Sequence, residues 1–247
     1  MKKEILETFI DRYYLKGLIN KVKWKYSASE KLLYTRAAID NRSFVVDVNM
    51  NEFTDFGADD LIICIGDTER VKAMLSPFGE DLDFLINKNG DKILGFTLSN
   101  ADIECYCSAA DPSAMDPVPK NLQDIPEYHV EVPLTEEFME KFKCAHKALK
   151  DVDSFSVHMN KKGVFEIVIG YTTSNSNRIR ITPTTNVTKN TIEKSILFPI
   201  KNIIEVISAN ESIPNGTLSI TNSGIMQLYF KNDKFTFTSY QFCNAKQ

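Results

Sequence analysis

Histidine is scarce here, with only His129, His146 and His158 in 247 residues, and the motifs that usually carry chemistry are missing. There is no G-x-x-x-x-G-K-[ST] phosphate loop, no G-x-G-x-x-G dinucleotide turn and no G-x-S-x-G nucleophile elbow. Long hydrophobic runs are missing as well. The longest, Leu61 to Ile65, is far too short to cross a bilayer, which excludes a helical membrane role. The charged start, with Glu4, Glu7, Asp11 and Arg12, leaves no apolar stretch of the kind a signal peptide needs. Five cysteines (Cys64, Cys105, Cys107, Cys144, Cys243) form an odd set without a regular framework, which suits a reducing cytoplasm. Cys105 and Cys107 share one face of a strand, but a metal site needs two further ligands and none stands at the usual spacing. No metal and no other cofactor is expected. The acidic clusters Asp59-Asp60, Glu80-Asp81-Asp83 and Glu136-Glu137 read as solvated loop or helix-start residues, the last pair favouring the positive end of its helix. A formal net charge of −4 argues against coating nucleic acid by bulk charge, while leaving room for a basic surface on one face.

What is present is an ordinary globular composition, 43% hydrophobic and 25% charged, at a length that suits two domains. Five of the nine prolines fall between Ala110 and Leu134, where fixed φ and missing donors make an extended connector. The expected division is 1–109, a connector over 110–127, and 128–247.

The two halves share an order of elements. Each opens with an amphipathic helix. The first, Glu4 to Gly17, sets Leu6, Phe9, Ile10 and Tyr13 on its apolar side. The second, Thr135 to Lys150, carries the stripe Phe138, Phe142, Ala145, Leu149. Strand-like runs follow: KVKWKYS, LLYTRAAI and SFVVDVN in one half, SFSVHMN, VFEIVIGY and NRIRITP in the other. LIICIGDTERVKAMLS parallels SILFPIKNIIEVISAN as a strand feeding a helix, and the turns Asn89-Gly90 and Ser223-Gly224 lie 134 residues apart. This pattern gives an α+β class with antiparallel sheets and two helices per domain, with no βαβ alternation.

The helices repeat one further feature. Lys143, Lys147 and Lys150 follow at i, i+4 and i+7, away from the phenylalanine stripe, and Arg12 and Lys16 do the same on the first helix. Arg70 and Lys72 lie on the third helix and Lys201 on the fourth. A solvated face is the plain interpretation of any one of these. Positive charge in repeated positions of an acidic protein points instead to a surface that faces phosphates.

Short motifs add a resemblance. AADPS (109–113) resembles the exit from the first domain in the DNA sliding clamps of T-even-like tailed phages, relatives in fold of the proliferating cell nuclear antigen. Tyr34-Thr35-Arg36-Ala37 resembles that family's Met-Thr-Arg-Ala strand, and NRIRITPTT aligns by pattern with its second domain. The resemblance implies a DNA-clamp fold that closes as a homotrimeric ring around duplex DNA, with sheets outside and helices lining the hole. It implies no enzymatic activity. It also implies a DNA polymerase tethered for processive replication, an ATP-driven clamp loader, a part in phage late transcription, and residence in the cytoplasm of an infected bacterium. DNA-facing residues would be Arg12, Lys16, Arg70, Lys72, Lys143, Lys147, Lys150 and Lys201. A partner-peptide pocket would be bordered by Met115, Val118, Leu122, Ile125, Tyr240 and Phe242. The ring would close where Asp102 to Ser108 meets Asn177 to Pro183 of the next subunit, with Asp102 and Glu104 opposite Arg178 and Arg180. Two other readings stay open: a monomeric processivity or peptide-binding module without ring closure, and a hydrolase with carboxylate-bound metal.

Overall fold

The structure, a computed structural model, describes residues 1–39, 42–53, 56–117, 127–170, 177–183, 192–214 and 216–243. The chain divides into two units, Met1–Lys120 with Asp233–Phe237, and Asn121–Asn232 with Thr238–Gln247.

The first unit begins with α1 (Lys3–Tyr14), whose Leu6, Phe9, Ile10 and Tyr13 are all buried. The helix is shorter than its pattern suggests. Leu15 and Lys16 both take left-handed φ, 46° and 51°, and Gly17 follows at 98°, so the chain turns at Tyr14 and Lys16 leaves the helical face. Strands β1 (Val22–Ser27), β2 (Leu32–Ile39), β3 (Phe44–Met50) and β4 (Leu61–Ile65) pair antiparallel in the order β4-β1-β2-β3. Alternation along β1 sends Trp24 inward, where its indole donates to Tyr13 Oη at 3.0 Å and its ring stacks on Phe96 at 5.8 Å. Helix α2 (Thr68–Leu75) starts at Asp67, whose carboxylate accepts from the Arg70 N–H. A second sheet, β5 (Asp83–Asn89), β6 (Lys92–Ser99) and β7 (Glu104–Ser108), runs in the order β5-β6-β7.

The second unit repeats this plan. Helix α3 (Glu136–Ala148) is capped by the Thr135 hydroxyl and buries Phe138, Phe142 and Ala145, with Phe142 edge-on to Phe155 at 5.2 Å. Strands β9 (Ser154–Met159), β10 (Phe165–Ile169), β11 (Ile179–Ile181) and β12 (Ile196–Pro199) pair as β12-β9-β10-β11, the same order as β4-β1-β2-β3. Helix α4 (Ile200–Asn210) buries Ile200, Ile203, Val206 and Ile207. Strands β13 (Gly216–Ile220), β14 (Ile225–Lys231) and the Thr238–Phe242 part of β15 (Phe235–Phe242) then match β5, β6 and β7.

Even a small feature recurs. Lys2 bridges Asp81 ahead of β5, just as β8 (Val130–Leu134) pairs with β13. The proline-rich connector therefore ends in a strand that the sequence alone does not suggest. Pro133 is tolerated because β8 is an edge strand, where one missing N–H costs no ladder bond.

Candidate nucleic-acid interface and assembly edges

The eight basic residues expected to face DNA behave differently from one another. Arg12 is the clear correction. It is 2% exposed, lies over the Phe235 ring at 4.0 Å, and burial lowers its guanidinium to about 10. Its place three residues after Phe9 puts it on the apolar side of α1, where no phosphate reaches. Lys72 is half-buried on α2, paired with Asp11 of α1 and set over the Tyr14 ring at 5.3 Å. Lys143 is held between Glu211 at 2.6 Å and Glu140 at 3.0 Å, and these carboxylates, Glu211 first, raise its ammonium above the usual range. Both lysines are largely neutralised by their own chain.

Lys16, Arg70, Lys147, Lys150 and Lys201 are exposed. Among the described residues, no ion pair is recorded for Arg70, Lys147, Lys150 or Lys201. Lys147 shares the helical face of Lys143, whereas Lys150 lies beyond the end of α3 in the turn that follows. Acidic neighbours are interleaved, with Asp11 and Glu69 exposed in the first unit and Glu140 in the second. Such a surface attracts phosphate weakly and reads no bases.

Among the described residues, each unit also carries a sheet edge with no strand against it. In the first unit β7 ends the order β5-β6-β7. Ala109 donates to Leu94 O and Asn100 to Ile103 O, both on the β6 side. By alternation the N–H and C=O groups of Glu104, Tyr106 and Ser108 point away from β6. Tyr106 lies flat on this sheet, its hydroxyl donating to Leu94 O at 3.1 Å, over a glycine that allows the approach. A Cβ on Gly95 would stand 2.2 Å from Cys107 O and 2.9 Å from Tyr106 Oη.

In the second unit β11 ends the order β12-β9-β10-β11. Here Arg180 Nε forms an ion pair with Glu166 Oε2 at 2.9 Å. Glu166 is buried, accepts from Asn160 Nδ2 at 2.7 Å, and has His158 Nε2 at 3.4 Å. Gly170, at φ 86°, turns the chain out of β10 so closely that a Cβ would stand 2.4 Å from Asn177 O.

The sequence spacing of the charges at these edges needs correction at two positions. Asp102 precedes the strand in a turn, where the Asn100 side chain accepts from the Asp102 and Ile103 N–H groups at 3.0 and 2.9 Å. It therefore does not alternate with Glu104. Arg178 likewise stands just before β11. All four charged residues are exposed, but Arg180 already has a partner in its own chain.

Three of the expected pocket residues, Val118, Leu122 and Ile125, lie outside the described residues. Met115 is buried in the first unit, and Tyr240 and Phe242 are half-buried in the second. Tyr240 Oη accepts from Gln227 Nε2 at 3.2 Å. A residue the pattern did not single out, Tyr128, belongs with them. Burial, reinforced by Tyr240 and Glu131, pushes its phenol up to about 12, and its hydroxyl has no hydrogen-bond partner among the described residues. Its position just after the connector was the available signal.

No family model and no curated relative matches the sequence. Solved structures do match. The chain is similar to a proliferating cell nuclear antigen from Entamoeba histolytica, with TM-score 0.74 and 13% identity over 99% of this chain and 96% of that one. It is similar also to the A. fulgidus proliferating cell nuclear antigen solved with the C-terminal region of FEN-1 bound, with TM-score 0.76, 15% identity, and coverage of 100% and 98%. The fold is that of these clamps: α+β, in two similar domains, with antiparallel sheets.

Proposed function

We propose that this chain is a sliding clamp, three copies of which close head to tail around duplex DNA and tether a DNA polymerase. One observation carries the reading. The sheet β4-β1-β2-β3 of the first unit has a strand against its β3 edge: Asp233–Phe237 runs there, and Asn51 N donates to Lys234 O at 2.8 Å. The matching sheet of the second unit, β12-β9-β10-β11, has no strand against β11 among the described residues. The strand that matches the Thr238–Phe242 part of β15 is β7, whose outer edge also has no strand against it among the described residues. Within the first unit the β3 edge is thus filled, while its counterpart, the β11 edge, is open among the described residues. Filling the second from another copy is a heterologous contact, which generates a ring if the rotation closes.

The rest of the reading follows from physics. A sliding protein gains from enclosure and not from affinity, so a few exposed cations on helices are sufficient and tight phosphate binding would be a fault. Neutralisation of Lys72 and Lys143 by Asp11, Glu140 and Glu211 suits that requirement. An ATP-driven loader to open the ring, a role in phage late transcription and a site of action in the bacterial cytoplasm complete the proposal.

Topology supplies the test. After loading onto nicked circular DNA, the protein should remain with the circle through gel filtration at high salt and leave when the DNA is cut once. Release from the intact circle at high salt would instead show an open, merely electrostatic binder.

A further inference from the structure

We infer that Glu166 is a positioning residue of the ring joint: it holds Arg180 on the β11 edge so that an acidic side chain of the next copy's β7 can meet it. The inference rests on the ring reading and goes beyond it, because Glu166 itself does not reach the edge. Strand β11 is only three residues long and pairs through Ile167↔Ile181, Val168↔Arg180 and Ile169↔Ile179. So short a strand has little ladder of its own to hold it in place. Glu166 supplies a second attachment. It is 5% exposed on the neighbouring strand, and Arg180 Nε reaches it at 2.9 Å while the Arg180 side chain stays 51% exposed.

The carboxylate is fixed in turn. Asn160 Nδ2 donates to it at 2.7 Å, and Asn160 Oδ1 accepts from the N–H groups of Lys162 and Val164 at 2.9 and 3.0 Å. The β9–β10 turn, the buried acid and the edge cation therefore form one connected unit. A buried carboxylate costs free energy unless charged and polar donors surround it, and here it has both. Its far end is a half-exposed guanidinium on an edge that has no strand against it among the described residues. Glu104 is the strand acid that the opposite edge exposes. Arginine, with a planar fork of five donors, is suited to serve two carboxylates at once.

The test compares ring dissociation in Glu166→Gln, Arg180→Gln and the double variant, by sedimentation at several salt concentrations. Gln is isosteric and can keep the Asn160 hydrogen bond, so the fold should persist. Circular dichroism and a thermal melt of each variant check this. Glu166→Gln is expected to weaken the ring about tenfold, as loss of the charge that holds the edge cation would. It should also flatten the salt dependence, and the double variant should be no weaker than Arg180→Gln alone. A trimeric wild type with an unchanged Glu166→Gln ring, or with effects that simply add, overturns the inference while leaving the ring intact. A wild type that stays at 28.1 kDa at every concentration overturns the ring reading and this inference with it.

Discussion

Proline at Tyr106 is expected to turn a three-subunit particle into single chains. Tyr106 sits in the middle of β7, and its N–H points away from β6 by the alternation that the Ala109 and Asn100 hydrogen bonds fix. Proline on an edge strand costs the isolated chain little, because the donor it removes has no partner there. In the joint, that donor and the space beside it are both required. Leaving the facing strand's acceptor buried and unmet costs about 1–3 kcal/mol, which weakens each joint roughly five- to a hundredfold. The side chain must be separated from the backbone effect, since Tyr106 also bonds Leu94 O and covers Gly95. Tyr106→Ala serves that purpose and should keep most of the trimer. Sedimentation of both variants at micromolar concentration checks the claim. A Tyr106→Pro chain that remains trimeric would remove β7 from the joint.

Simple charge reversal is a poorer probe of the same joint. Arg180→Glu would place a second carboxylate against buried Glu166 and damage the unit before any ring is formed. Arg178 has no such partner recorded among the described residues, so Arg178→Glu is the cleaner charge variant.

The second large effect concerns DNA. Changing Arg70, Lys147, Lys150 and Lys201 together to glutamate is expected to reduce retention on circular DNA by at least about a hundredfold at moderate salt. Because Arg70 lines a cavity with Tyr106 and Ser108 of β7, light scattering on the Lys147, Lys150 and Lys201 triple variant separates the DNA effect from assembly, and should show the trimer unchanged. Each single reversal should cost less than about threefold, since many weak phosphate contacts share the work. Arg12→Glu is different in kind. It would bury a carboxylate against Phe235 and should unfold the first unit before DNA is involved. A quadruple variant that loads and slides normally would remove these helices from the DNA-facing surface.

Much of this was legible in the sequence because the periodicities are clean. The 4-3 spacing of Phe138, Phe142 and Ala145 marks the buried face of α3, and the alternation in KVKWKYS marks β1. The duplicated order of elements followed from the same signals and extends to details such as the Lys2 bridge to Asp81. The losses have physical reasons. Arg12 was taken for a surface cation from its charge, although its spacing from Phe9 placed it inward. Lys72 meets Asp11 across 61 residues and Lys143 meets Glu211 across 68, and no local pattern reports such pairs. Asp102 left its strand because Asn100 captures two backbone donors, a turn signal outweighed in the reading by the alternation of charges. The partnership of Glu166 with Arg180 was invisible, since it depends on which strands are neighbours.

Copies of this chain are proposed to join at the edges of β7 and β11 as a closed three-membered ring. Light scattering on the pure protein tests it most directly, across a concentration series from nanomolar to tens of micromolar. The expected mass is about three times 28.1 kDa, without higher species as concentration rises, because a closed ring leaves no edge to extend. A mass of 28.1 kDa throughout, or one that keeps growing with concentration, would contradict it.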